Sequence, residues 1–174
     1  EALALATGNG DGRLASVEWK LDGARIQVHR RGDEVGVWTR NLNEVTDRLP
    51  GIVALVRSLP ATSLVVDGEA VGVGEDELPR TFQDTMSAFG QDAAGGAGAG
   101  LESRFFDILH LDGDDLIDRP IADRLATLER VAGPWRIPGV ITTDATEAQR
   151  VLDEALAHGH EGVMVKDAAS PYEA

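Results

Sequence analysis

Glu18-Trp19-Lys20-Leu21-Asp22-Gly23-Ala24-Arg25-Ile26-Gln27-Val28-His29 changes character in mid-course. Up to Gly23 it is charged and turn-prone. From Ala24 it alternates, with Ala24, Ile26 and Val28 on one side and Arg25, Gln27 and His29 on the other. Successive side chains of a strand point to opposite faces, so this pattern predicts a strand with one dry face and one polar face. The turn residues Arg31-Gly32-Asp33 follow, and Val35 and Val37 resume the alternation, which predicts a β-hairpin starting directly after Lys20. Lys20 is one of only two lysines; the other is Lys166, and the remaining fourteen of the sixteen basic residues are arginine. A guanidinium keeps its proton in a protein, whereas an ε-amine can lose it and attack an electrophile. Unless codon bias alone thinned out lysine, the two survivors mark candidate chemistry.

Beyond the hairpin, Pro50 opens a run with Ile52, Val53, Val56 and Leu59 at helical spacing. Leu64-Val65-Val66 leads into Asp67-Gly68-Glu69, with Val71 and Val73 beyond, and predicts a buried strand emerging into a polar rim. Phe105-Phe106-Asp107-Ile108-Leu109 is a second apolar run with one carboxylate set in it. Between them, Ala93 to Gly100 holds only alanine and glycine and is expected to be a surface loop. Leu125, Leu128 and Val131 predict a helix stopped at Gly133 and Pro134. Thr146 and Gln149 read as a capping box for a helix carrying Val151, Leu152, Ala155 and Leu156, with Gly159 as its stop. A last strand is expected from Gly162 to Lys166, after which Tyr172-Glu173-Ala174 forms no recognisable closing element. Strands and helices mix without strict βαβ alternation, and tight turns favour antiparallel pairing, so the fold class is α+β.

With 174 residues, 43% hydrophobic and 26% charged, the chain is expected to form one globular domain or most of one. No apolar run approaches the ~20 residues of a membrane span. The lack of cysteine excludes disulfides and thiolate metal sites, and with no signal peptide visible the cytoplasm is the expected compartment. A net charge of −14 speaks against nucleic acid being gripped by this chain alone. His29, His110, His158 and His160 show no metal-ligand spacing, and the acids from Asp112 to Asp118 lack the spaced ligands and closing glutamate of a calcium loop.

Four segments share one design, a strand that carries a charged residue to its end or edge: Lys20 to Arg25, Asp67 to Glu69, Phe106-Asp107 and Glu161 to Lys166. Singly each is weak, since an Asp-Gly pair is most often a turn. Together with Thr39-Arg40-Asn41 they form an ordered set of five motifs: Lys20, Asp22, Gly23 and Arg25 as Lys-x-Asp-Gly-x-Arg; the arginine motif at Arg40; Asp67-Gly68-Glu69; the aromatic-Asp motif from Phe105 to Gly113; and Glu161-Gly162-Val163-Met164-Val165-Lys166. In this set the sequence resembles the ATP-dependent DNA ligases, covalent nucleotidyltransferases related to RNA ligases and mRNA capping enzymes. The motifs span nearly the whole chain, and their phrasing is most similar to bacterial, actinobacterial-type enzymes.

The resemblance implies an ATP-grasp-like adenylation domain over residues 1–174: two packed, mainly antiparallel sheets with flanking helices, ATP between them, and a truncated C-terminus. It implies that Lys20 attacks the α-phosphorus of ATP to form lysyl-AMP. An ordinary lysine, with a pKa of about 10.4, is neutral roughly once in a few thousand molecules at pH 7, so its surroundings must lower that value. A close carboxylate does the reverse, so Asp22 and Glu161 suit a place near Lys20 only with a divalent cation among them. The resemblance puts Mg²⁺ there, with Mn²⁺ able to stand in. It further implies that Arg25 and Glu69 hold the ribose hydroxyls, that Arg40 lies near ribose or phosphate, and that Phe106 stacks on adenine. Glu18 would accept from the adenine amino group, where guanine presents a carbonyl, and Lys166 would neutralise the α-phosphate. Packing in the core remains the plain reading of Phe106, and a solvated charge that of Glu161.

No lysine follows Lys166, whereas the family has a Lys-x-Lys strand there. Nor do 174 residues contain the family's C-terminal oligonucleotide-binding barrel or an N-terminal DNA-binding domain. The chain is therefore expected to be an incomplete domain of a monomeric enzyme whose nicked double-stranded DNA is held mainly by parts outside it. An RNA ligase or capping-type enzyme, and a nucleotide-binding module without catalysis, are the alternatives.

Overall fold

The computed structural model describes residues 2–6, 12–72 and 101–173. Val73 and the Ala93 to Gly100 stretch lie outside them. In chain order the elements are α1 (Ala2–Ala6), β1 (Ala15–Lys20), β2 (Ala24–Arg31), β3 (Glu34–Thr39), a 3₁₀ turn at Thr46–Arg48, α2 (Pro50–Ser58) and β4 (Ser63–Gly72). Then come β5 (Leu101–Leu111), β6 (Asp114–Asp115), α3 (Ile121–Ala132), a 3₁₀ turn at Gly133–Trp135, β7 (Gly139–Thr142), α4 (Ala145–Ala157) and β8 (Gly162–Asp167). The strands form a five-stranded sheet ordered β3-β2-β4-β5-β6 and a three-stranded sheet ordered β7-β1-β8, every ladder antiparallel. The expected α+β fold with two antiparallel sheets is the one observed.

The hairpin forms as its alternation predicts. Gly32 turns it with φ of +59°, and Ile26, Val28 and Val37 are fully buried. They join Leu64, Val66, Phe105 and Ile108 of the neighbouring strands in a core covered by Ile52, Val53 and Val56 of α2 and Leu125 and Leu128 of α3. Helix α4 instead lies against β1, β7 and β8, burying Val151 and Ala155. No helix among the described residues is long and apolar enough to cross a membrane.

Three local expectations need correction. The cap of α4 is Asp144, whose carboxylate accepts from the Thr146 amide at 2.8 Å; Gln149 instead donates to Asp153. An aspartate one residue ahead of the helix competes for the same amides and displaces Thr146 from the cap. Leu156 is 52% exposed and stays outside the core, the helix burying Val151 and Ala155 instead. Asp67-Gly68-Glu69 lies within β4 rather than on a rim, and Asp67 is almost wholly buried. The sequence pattern also left β1, the strand that ends in Lys20, unassigned along with β7: Ala15 to Glu18 is buried on both faces and so shows no alternation.

Gly68 is required by close packing. A Cβ there would stand 2.5 Å from the Arg104 carbonyl oxygen and 2.8 Å from a ring carbon of Phe105, so β4 and β5 could not keep their spacing. Gly68→Ala is expected to destabilise the protein by about 2 kcal/mol or more and to lower its melting temperature by about 4–8 °C. An unchanged melting temperature in a thermal scan contradicts this.

Candidate active site

A cavity of about 790 Å³ lies between the two sheets, lined by Glu18, Lys20, Arg25, Arg40, Glu69, Phe106 and Lys166 among others. They come from all five motifs, with Glu18 just ahead of the first, and strand pairing brings the motifs together. Pairing of β1 with β8 sets Ser16 opposite Lys166, Glu18 opposite Met164 and Lys20 opposite Gly162. Pairing of β2 with β4 sets Arg25 opposite Glu69. A second cavity of about 750 Å³, lined by His29, Trp38 and His110 among others, holds none of these seven.

The floor is built from charges taken out of water. Glu18 is 3% exposed and bonded to Lys166; burial raises its pKa, and the Lys166 ammonium opposes that rise. Asp107, beside Phe106, is gripped by Arg124 of α3 through two bonds of 2.7 and 3.0 Å. Asp67 accepts from Arg25 at 2.9 Å, from Gln27 at 3.0 Å and from the Tyr172 hydroxyl at 2.6 Å. Phe105 is fully buried in the core, which turns its neighbour Phe106 into the cavity. Over the Phe106 ring stand Lys166 Nζ, 5.1 Å from its centre, and Arg25 Cζ at 5.8 Å. A planar aromatic group flanked by two cations suits a base joined to a phosphate.

The mouth is different. Lys20 and Glu161, the residue before β8, are bonded to each other with half of each side chain exposed. The Glu161 carboxylate raises the Lys20 pKa above its ordinary value, and Asp22 pulls the same way. Glu161 and Asp22 are not among the residues lining the cavity. Among the described residues no cluster of three or more His, Cys, Asp or Glu could hold a metal ion. A hard cation at Glu161 would therefore complete its shell with water and phosphate oxygens, as Mg²⁺ does when one or two carboxylates hold it.

Two residues of the site escaped the sequence reading. Arg124 carried a signal: it sits on the apolar stripe of α3 between Ile121 and Leu128, where a charge must find a partner. Tyr172, the one tyrosine, lies in irregular chain and carried none. Three histidines pack on aromatic rings, His29 on Trp38 at 4.7 Å and His158 and His160 on Trp19 at 4.8 and 5.1 Å, while His110 bonds to Asp115 at 2.8 Å.

Glu69 titrates unusually. Burial raises its pKa to about 7 from an ordinary 4.5, and the Gly23 amide and Arg25 only partly offset this. Between these two values the folded protein holds a proton that the unfolded chain has released, so stability falls as pH rises through the window. Glu69→Gln removes this loss and is expected to gain on the parent protein by about 1–2 kcal/mol more at pH 8 than at pH 5, after allowance for solvent screening. Urea unfolding at the two pH values tests this; an equal difference at both contradicts it.

Comparison with known proteins bears on the whole chain. The family model described as ATP dependent DNA ligase domain matches residues 6–174. A probable DNA ligase of Pseudarthrobacter chlorophenolicus is 54% identical over 160 residues, covering 92% of this chain and 31% of that protein. One of Rhodococcus jostii is 56% identical over 159 residues, 91% of this chain and 31% of its own length. This chain thus spans about a third of these curated relatives. Among solved structures, the ligase domain of M. tuberculosis LigD superposes with a TM-score of 0.73 at 25% identity, over 92% of this chain and 50% of its own. A mycobacterial DNA ligase D complexed with ATP and MES gives 0.71 at 25% identity, over 93% of this chain and 52% of its own.

Proposed function

Because the chain belongs to the family of ATP-dependent DNA ligase domains, we propose that it is the adenylation domain of such an enzyme and that Lys20 is its nucleophile. The observation that carries this reading is the convergence of Lys20, at the end of β1, and Lys166, on β8, on one cavity with Phe106 of β5. The neutral ε-amine of Lys20 attacks the α-phosphorus of ATP; a P–N bond forms as the bond to pyrophosphate breaks. Phe106 stacks on adenine, Glu18 accepts from its amino group, and Arg25 with Glu69 faces the ribose hydroxyls. Arg40, exposed at the rim, meets ribose or phosphate, and Lys166 stabilises charge on the α-phosphate.

Lys20 is held protonated by Glu161, so the amine needs that pull relieved before it can attack. Glu161 and Asp22 would hold Mg²⁺, or Mn²⁺ in its place, and the cation would supply positive charge there that offsets both carboxylates. In the second step AMP passes to the 5′-phosphate of a DNA nick, and in the third the 3′-hydroxyl displaces AMP and closes the strand. Net charge −14 suits an arrangement in which other parts of a longer, monomeric, cytoplasmic enzyme grip the DNA.

Incubated with Mg²⁺ and ATP radiolabelled at the α-phosphate, a full-length enzyme carrying this domain is expected to form a labelled protein band that survives denaturation. Lys20→Ala abolishes it, and the 174-residue chain alone labels weakly or not at all. Persistent labelling of Lys20→Ala would sink the assignment. Label from GTP, or sealing of RNA ends in preference to nicked DNA, would favour the RNA ligase and capping alternative; ATP binding with no label would favour a non-catalytic module.

A further inference from the structure

The segment that follows β8 crosses from the smaller sheet to the larger. Ala168 donates its amide to the Leu14 carbonyl at 2.9 Å, and the carbonyls of Ala168 and Ser170 receive the amides of Ala122 and Ile121, each at 3.0 Å, at the start of α3. The Tyr172 amide then bonds to the Ile117 carbonyl at 2.8 Å. With its backbone held in this way, Tyr172 reaches the polar face of β2 and β4. Its hydroxyl donates to Asp67 Oδ2 at 2.6 Å and accepts from Arg25 Nη2 at 3.0 Å. The same Arg25 nitrogen donates to Asp67 Oδ2 at 2.9 Å.

This triangle commits both hydrogens of Arg25 Nη2. With Nη2 committed, the donors the guanidinium keeps for other partners are those of Nη1 and Nε, which lie on different edges of the planar group. Asp67 cannot give way, because it is buried and its other oxygen already accepts from Gln27 at 3.0 Å. Burial and the Asp67 carboxylate push the Tyr172 pKa up to about 12, so the phenol keeps its proton and its direction of donation at any working pH.

We propose that Tyr172 is a positioning residue for nucleotide binding: its hydroxyl, set between Asp67 and Arg25, holds Nη2 and so fixes the orientation in which the Arg25 guanidinium meets the ribose. This rests on the nucleotide reading given above. Tyr172 need not touch the nucleotide; it acts through Arg25. Its effect is therefore confined to the part of the ligand that Arg25 meets, which separates positioning from a general loosening of the cavity.

Tyr172→Phe keeps the ring and its packing and deletes only the hydroxyl. Calorimetric titration of the chain, in Mg²⁺, with ATP and with its 2′,3′-dideoxy analogue is the test. The parent protein is expected to prefer ATP, and the variant to bind ATP about tenfold more weakly, the scale of one hydrogen bond to a charged group, while its affinity for the analogue is unchanged. Equal weakening toward both ligands, or no change toward either, overturns the proposal while leaving the nucleotide reading in place. If the parent protein binds neither, the nucleotide reading itself fails, and this proposal with it.

Discussion

Three carboxylates, Glu18, Asp67 and Asp107, are taken out of water where the two sheets face each other, and each must be met by a cation. Lys166, Arg25 and Arg124 meet them. Removing one partner of such a pair leaves an uncompensated buried charge at a cost of about 3–5 kcal/mol, so the pairs hold each other in place. Lys166 lies on the smaller sheet, Arg25 on the larger and Arg124 on the helix behind it. One pair thus lies within the smaller sheet, one within the larger, and the third fastens the larger sheet to α3, and each holds residues at the one cavity. Its aromatic floor, Phe106, follows from alternation, since Phe105 beside it occupies the core.

The two lysines consequently stand in opposite surroundings. Lys166 is only 29% exposed and bonded to a buried glutamate, a setting for fixed positive charge. Lys20 is half exposed at the mouth and bonded to an equally exposed one. A solvated pair of that kind contributes little to stability and is readily exchanged for other partners, which suits a group that must shed a proton and form a bond. Arginine, which never gives up its proton, could replace the first in part and the second not at all.

Much of this was legible in the sequence because it depends on short-range periodicity. Alternation from Ala24 to Val28 announced the β2–β3 hairpin, and the spacing of Ile52, Val53 and Val56 announced α2. The residues that line the cavity were found through the five ordered motifs rather than through any pattern of burial. What escaped was set by partners distant in sequence. Strand β1 lies between β7 and β8 with α4 packed against it and is buried on both faces, so it shows no period of two. Asp67-Gly68-Glu69 looks like a turn, yet close approach of β5 keeps it extended. Asp144 outcompeted Thr146 for a cap, a choice between neighbours that differ by little. Tyr172 gained its place only through contacts with residues 105 and 147 positions away.

The account centres on a nucleotide held between Lys20 and Lys166, and the composition offers a direct view of both. With two lysines in the chain, protein carrying ¹³C at the lysine ε-carbons gives two resonances, assignable by substituting either residue. Titration with ATP and Mg²⁺ is predicted to shift both resonances along a single binding curve. Saturating ATP that leaves both where they were would contradict the account.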